Sequence, residues 1–271
     1  MVSKEKFDIF HCANCQLRFT QDVPDVAAIG KYYKSENYIS HSNTSKGLVN
    51  RVYQMVRRRA NRQKRKLIER ETGIQKGNLL DVGSGTGYFA AEMKNAGWNV
   101  TGLEPDTDAR RIAMEVNKIE LSSTDKLFQL ETNSFDVITL WHVLEHVHDL
   151  KKYVRQCRDL LKESGKLFVA VPNYGSYDAE VYKENWAAYD VPRHLYHFSP
   201  TAMKHLMETE GLRIISIKPM WFDSFYVSLL SSKYKKGRTN WLGAIFTGLR
   251  SNLKTMSDVK KCSSLIYIIA K

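Results

Sequence analysis

At 271 residues, 43% hydrophobic and 26% charged, the chain suits one large α/β domain or a domain with a small appendage, and a globule of that size buries roughly 70–75% of its unfolded surface. Four cysteines exclude a disulfide-stapled secreted scaffold, and no window approaches the ~18 consecutive apolar residues of a membrane-spanning helix. The net charge of +12 is local: residues 51–66 hold eight Arg or Lys and no acid, so the rest of the chain carries only +4.

A soluble, cytoplasmic, reduced protein is expected, because Met1 to His11 mixes Lys, Glu and Asp with isolated apolar residues and has no signal-peptide core. Residues 1–43 are aromatic and irregular and contain the pair Cys12-x-x-Cys15. From Thr44 to about Glu71 the spacing of Leu48, Val49, Val52, Tyr53 and Val56 predicts one long helix that ends at Gly73 with its arginines outside. Its basic stretch could meet nucleic acid or an anionic membrane surface, but a solvated helix face is the simplest reading. Residues 1–73 are thus expected to form an N-terminal cap, and 74–271 the main domain with a helical insertion at 220–262.

Beyond Gly73, strands and helices alternate. Strands are predicted at Asn78–Val82, Trp98–Leu103, Phe135–Leu140, Lys166–Val171, Leu212–Ile217 and Leu265–Ala270. Helices are predicted from Thr86 to Ala96, from an Asp106 cap to Asn117, from Asp149 to Lys162 and from a Ser199 cap to Glu210; residues 118–133 fit neither pattern. Such alternation implies a mostly parallel sheet covered on both faces.

The first strand runs into Asp81-Val82-Gly83-Ser84-Gly85-Thr86-Gly87, a glycine-rich turn before a helix. Glycines let the backbone turn sharply and let a ligand approach it closely. A dinucleotide fold uses G-x-G-x-x-G, but the third position counted from Gly83 is the bulky Tyr88. Glu104, after the second strand, can accept both hydroxyls of a ribose. It does not by itself choose between a dinucleotide and another nucleoside cofactor.

The choice comes from the third strand region, Ser134-Phe135-Asp136-Val137-Ile138 through Trp141-His142-Val143-Leu144-Glu145-His146-Val147. It resembles the strand-four region of class I S-adenosylmethionine-dependent methyltransferases, where "FDVI…LEH" recurs. Asp81–Gly87 resembles their first motif and Gly102-Leu103-Glu104-Pro105-Asp106 their second. This resemblance implies a Rossmann-like, doubly wound seven-stranded sheet with an antiparallel last strand, extended by N-terminal helix and an insertion before that strand. It implies S-adenosyl-L-methionine as cofactor. Asp81, Gly83, Ser84, Gly85 and Gly87 would hold its methionine end, Glu104 and Pro105 its ribose side, and Trp141 and His142 would flank it; Asp125 is an adenine contact by position only.

Methyl transfer from a sulfonium needs chiefly alignment and exclusion of water, and a hydroxyl acceptor also needs a base. Glu145, His146, His194 and His197 are the candidates. In the ubiquinone-pathway O-methyltransferases an acid-x-x-Glu-His pattern is associated with a divalent metal; His142 stands at the first acidic position here, so no metal is expected. Tyr189-Asp190-Val191-Pro192-Arg193-His194-Leu195 resembles a "D-x-P-R-H-L" stretch of a methyltransferase subfamily, which implies that Arg193 and His194 help build the acceptor pocket. A plainer alternative has Arg193 pinning a loop to an acidic neighbour. Cys12 and Cys15 echo one half of a two-pair zinc module found in some family members; His11 and His41 could complete a site, though the second pair is missing. Tyr32, Tyr33 and Tyr38 resemble the family's cofactor-closing aromatic segment.

The insertion repeats apolar residues at helical spacing, Trp221 to Leu230 and Trp241 to Leu249, with Lys233, Lys235, Lys236 and Arg238 between. Such a stripe suits a membrane interface and hence a lipid-linked acceptor, while a lid or homodimer contact is the favoured reading. Residues 57–66 raise an RNA acceptor, but no RNA-binding module and no "N/D-P-P-Y" motif accompany them, so nucleic acid is disfavoured. The expectation is an enzyme acting on a small-molecule, saccharide or lipid-linked acceptor; the alternatives are an RNA methyltransferase and a catalytically silent cofactor binder.

Overall fold

The computed structural model describes residues 5–33 and 48–271; Tyr38, His41 and the expected helix start at Thr44 lie outside them. β1 (Ile9–His11) and β2 (Arg18–Thr20) form a hairpin, and α1 (Leu48–Thr72) is the long basic helix. β3 (Asn78–Val82), α2 (Tyr88–Asn95), β4 (Asn99–Leu103), α3 (Thr107–Asn117) and β5 (Phe135–Trp141) then alternate. α4 (Leu150–Leu160) runs directly into β6 (Leu161–Pro172), followed by α5 (Tyr177–Tyr182), β7 (Tyr196–His197), α6 (Pro200–Thr209) and β8 (Arg213–Pro219). α7 (Asp223–Lys236) and α8 (Trp241–Ser257) precede the last strand, β9 (Ser264–Ala270).

The chain divides into two compact units: residues 36–141 with 156–167, and residues 1–35 with 142–155 and 168–270. The main sheet has the order β4-β3-β5-β6-β9-β8. The fold is the expected Rossmann-like α/β type. In the first unit β3 pairs parallel with β4 and with β5. Leu79, Leu80, Val82, Val137 and Ile138 are buried, as strands covered on both faces require. Six strands hydrogen-bond in this sheet; at the outer side of β4 the seventh position is a single parallel bridge, Leu103 to Ser122, before a 3-10 turn at Thr124–Gln129. α3 starts where Asp106 accepts a hydrogen bond from the Ala109 amide, a cap that contributes about 1 kcal/mol. The helix expected to reach Lys162 stops at Leu160, because Lys162 ion-pairs with Asp136 of β5 at 2.8 Å from an extended backbone.

α1 packs on α2. Arg65 bridges Glu69 (2.8 Å) and Glu92 (3.0 Å), and the Arg57 guanidinium lies 3.3 Å over the Tyr88 ring. Part of its charge is therefore spent on packing, while Arg58, Arg59, Arg62 and Lys66 stay exposed.

In the second unit β9 runs antiparallel to β8, as expected of the last strand. The β1–β2 hairpin joins β7 in a separate antiparallel sheet with Arg18 opposite His197. α5, α7 and the segment 186–188 share a core of Ala179, Tyr182, Trp186, Ala187, Ala188 and Val227.

Candidate active site

In the first unit, the turn after β3 is held from both sides. The amides of Gly83 and Ser84 both donate to the Leu103 carbonyl (2.7 and 2.9 Å), and the Ser84 hydroxyl donates to the Asp81 carbonyl at 2.8 Å. Gly83, Gly85 and Gly87 have φ of 73°, 54° and 77°, which bulkier residues rarely adopt. Two of the glycines differ in what surrounds them. A Cβ on Gly87 would lie 2.6 Å from the Ile119 side chain, so this glycine lets α2 pack. Beside Gly85 nothing lies within 4 Å of a Cβ, so the backbone there borders open space that a ligand can fill.

Glu104 ends β4 with a largely buried carboxylate. Its oxygens accept from the Gly85 amide (2.7 Å) and the Asp106 amide (3.0 Å). A carboxylate at this end of a strand is the kind of group that accepts ribose hydroxyls. The exposed Pro105 carbonyl accepts from Arg110 at 2.8 Å. These features fit a nucleoside cofactor: open space at a glycine backbone, and a fixed carboxylate within one hydrogen bond of it.

Asp81 is 1% exposed and accepts a 2.7 Å hydrogen bond from the Thr139 hydroxyl. Burial pushes its carboxyl up to about 6, against the pull of Thr139, Ser84 and the Lys64 charge. Trp141 closes β5. Its ring meets Phe89 edge-on at 5.5 Å, and the Lys64 ammonium lies 4.3 Å from its centroid. Its indole N–H is buried without a hydrogen-bond partner, a polar group whose place a ligand acceptor could satisfy.

The second unit gathers the other named residues. His142 has a left-handed backbone, φ 57°, fixed by its amide donating to the Ala170 carbonyl at 2.9 Å. Its ring stands between two acids, with Nδ1 3.4 Å from Glu145 and Nε2 3.2 Å from Asp223. Burial disfavours its charge, yet Asp223 and Glu145 outweigh that and push His142 up to about 10. Glu145 is 1% exposed, and neither carboxylate oxygen accepts a hydrogen bond; the His142 contact is long and poorly directed. Burial alone would raise Glu145, but the His142 imidazolium beside it outweighs that and holds it at about 2.

His146 and His194 meet edge to face with centroids 4.6 Å apart. His146 Nδ1 lies 2.9 Å from the Arg193 carbonyl and 2.9 Å from the Tyr33 hydroxyl, and His194 Nδ1 lies 2.8 Å from the Ala188 carbonyl. A carbonyl only accepts, so each Nδ1 carries a proton, and His194 Nε2 lies 3.8 Å from the Asp190 carboxylate. Burial and the neighbouring His194 push His146 down to about 4, so it is neutral at pH 7. Arg193 itself ion-pairs with Asp190 at 2.6 Å, and these two residues with Tyr32, Trp186, Tyr189 and Tyr234 line a small solvent-open cleft. His197 bonds the Thr20 hydroxyl at 3.1 Å, joining the hairpin sheet rather than the cluster.

Glu145, His146 and His194 each offer one ligand atom, and these lie within 4.8 Å of one another. One carboxylate and two imidazoles form a donor set for a divalent cation, and Nδ1-to-carbonyl bonds are how ligating histidines are usually oriented. Cys12 and Cys15 sit in the β1–β2 turn, where the Cys15 backbone pulls the Cys12 thiol below its usual value; among the described residues no third ligand joins them. Sequence reasoning missed Asp223, Thr139 and Lys64, whereas Asp190 is the acidic neighbour to which the plainer alternative had Arg193 pinning the loop. Asp223 stands 81 positions after His142, and nothing local marks it.

A family model described as a methyltransferase domain matches residues 55–217. The ubiquinone biosynthesis O-methyltransferase of Cupriavidus pinatubonensis is 27% identical over 165 residues, covering 56% of this chain and 66% of that protein. The corresponding protein of Sodalis glossinidius is 34% identical over 114 residues, covering 40% and 46%. The chain thus spans about half to two-thirds of the length of the curated relatives it matches. Among solved structures, magnesium protoporphyrin IX methyltransferase from Synechocystis PCC 6803 with bound SAH is similar with a TM-score of 0.58 at 13% identity, covering 91% of this chain and 100% of that one, a likeness of fold.

Proposed function

The chain belongs to the methyltransferase-domain family, as a class I S-adenosylmethionine-dependent methyltransferase, and from that premise we propose that it methylates a hydroxyl of a small-molecule, saccharide or lipid-linked acceptor. The cofactor supplies an already activated methyl group on a sulfonium. What remains for the protein is to orient the acceptor, keep water out and take a proton.

The observation that carries this reading is the buried carboxylate of Glu145, without a hydrogen-bond donor, beside two imidazoles that backbone carbonyls hold by Nδ1. His194 is the base: its Nε2 takes the hydroxyl proton as the C–O bond forms. Glu145 stays ionised and stabilises the imidazolium that results, since an anion kept near 2 cannot compete for the proton. Arg193, held by Asp190, shapes the cleft. An amine or carbanion acceptor would leave such a base with less to do. The test incubates the full chain with labelled cofactor and fractionated cell extract, then identifies the labelled product. Methyl ether supports the reading; label on nitrogen or carbon refutes it.

A second reading is favoured by the 4.8 Å gathering of Glu145, His146 and His194. There a divalent cation would lower the acceptor hydroxyl's pKa directly. Activity lost to a chelator and restored by one equivalent of metal supports the cation; chelator-insensitive activity leaves His194 as the base.

A further inference from the structure

The geometry of α7 and α8 points to a docking surface for an anionic lipid bilayer: we propose that this hairpin lies in the membrane interface. The inference goes beyond the acceptor chemistry and stands without it.

α8 is built inside out for a soluble protein. Its buried face carries Ala244, Gly248, Ser251 and Thr255, and α7 meets it with Ser224, whose hydroxyl lies 3.4 Å from the Gly248 carbonyl. These small residues seat the two helices closely; a Cβ on Gly248 would lie 2.7 Å from the Phe225 ring. The large apolar side chains point the other way. Trp241 is 64% exposed, Leu242 84%, Phe246 63%, Leu253 65% and Met256 75%. At 100° per residue these five fall within an arc of about 140°, one continuous stripe. An amphipathic helix of a soluble protein turns that stripe inward. Here nothing among the described residues covers it, so the favoured expectation of a lid over a pocket does not describe α8.

Charge selects the occupant. From Ser224 to Ser257 the chain has Lys233, Lys235, Lys236, Arg238, Arg250 and Lys254 and no acid, and all six cations are exposed. Four of them crowd the turn between the helices, next to Trp241 at the start of α8. Apolar residues with an interfacial tryptophan and a ring of lysines match a monotopic contact with anionic headgroups. No described helix is long and apolar enough to cross a membrane, so the contact is in the plane of the interface. A second copy of the chain is the weaker occupant, because a two-fold contact presents the same face twice and would bring two sets of six cations together with no acid in the segment.

The hairpin also reaches the chemistry of its own unit. Asp223, the first residue of α7, is the acid that holds His142. A surface that docks α7 thereby sits one ion pair from His142.

Vesicle flotation of the full chain, without cofactor or acceptor, tests the proposal. It therefore fails or succeeds independently of the methyl-transfer reading. The wild type should float with phosphatidylcholine vesicles containing roughly one third phosphatidylglycerol and remain below with phosphatidylcholine alone. Replacing Leu242, Phe246 and Leu253 by Ser, or Lys233, Lys235 and Lys236 by Gln, leaves the buried face intact, which circular dichroism verifies. With roughly fivefold in partitioning per cation near an anionic surface, the lysine triple should lower binding about a hundredfold. The proposal is overturned if neither vesicle floats the protein, or if both triples float like wild type. It is likewise overturned by a dimer that Leu242→Asp dissociates while vesicles go unbound.

Discussion

Replacing Asp81 by Asn should make the ligand-free protein more stable at pH 8 and no more stable at pH 4. Asp81 is 1% exposed, and burial lifts its carboxyl from 3.8 to about 6. A raised folded-state pKa means the folded chain holds a proton that the unfolded chain has released. The group's favourable contribution is full below about 4 and is lost as pH rises through 6. Two units at 1.36 kcal/mol each set a ceiling of about 3 kcal/mol at pH 8. Asn keeps an oxygen to accept from the Thr139 hydroxyl, so the expected gain is about 1–3 kcal/mol after the added N–H groups find partners. Urea unfolding midpoints from pH 4 to 8, with unchanged slope, measure it. A difference constant across that range, or a less stable variant at pH 8, would refute the account. The same charge should attract the cofactor's cationic end, so affinity for S-adenosylmethionine should rise with pH through 6 in the wild type and not in the variant.

Glu104→Ala removes the acceptor of two backbone amides and the proposed ribose contact; calorimetry should show cofactor affinity at least tenfold weaker, about 1.4 kcal/mol or more, and an unchanged value would detach Glu104 from the cofactor. His194→Ala should reduce turnover to background while cofactor affinity stays within about twofold, and full activity would remove His194 from the mechanism. Asp223→Asn should lower the His142 titration from about 10, readable by NMR. Because His142 holds its charge below that value, the pair's stabilisation is present at pH 7 and fades as pH rises through 10. With the ring about a third exposed, solvent screening keeps the loss below about 1 kcal/mol, and an unmoved His142 titration overturns the pairing.

The cofactor half was legible because its chemistry is written in consecutive residues. The glycine turn, Glu104 and the strand ending at Trp141 each belong to one strand and the loop after it, so local pattern alone located them. The cluster of the second unit is different in kind. Glu145 and His146 could be named from the motif after β5, and His194 from the loop before β7, but their meeting depends on contacts across 47 or more residues. Asp223 had no local mark at all. The β1–β2 hairpin was hidden too: its three-residue strands are shorter than a period-2 pattern can reveal, and they form because β7 gives them a partner. The stripe on α8 was visible in sequence, but periodicity cannot say which face is inside. Only the small residues against α7 decide that.

Two buried carboxylates in this chain are driven in opposite directions, and the contrast assigns them different work. Asp81 goes up to about 6 because burial is not matched by a full counter-charge; the Lys64 charge acts on it only as the weakest of its stabilising influences. Its deficit is of the size that a cationic ligand repairs. Glu145 goes down to about 2 because His142, itself braced by Asp223, already supplies a cation. An anion compensated from within gains less from an external cation than an uncompensated one does. It is better suited to stabilise a charge that appears only during reaction. In the proposed mechanism such a charge arises when His194 takes a proton at Nε2 while its Nδ1 is held 2.8 Å from the Ala188 carbonyl. On the proposed mechanism, then, binding and proton transfer fall to different carboxylates, one kept short of positive charge and the other kept supplied with it.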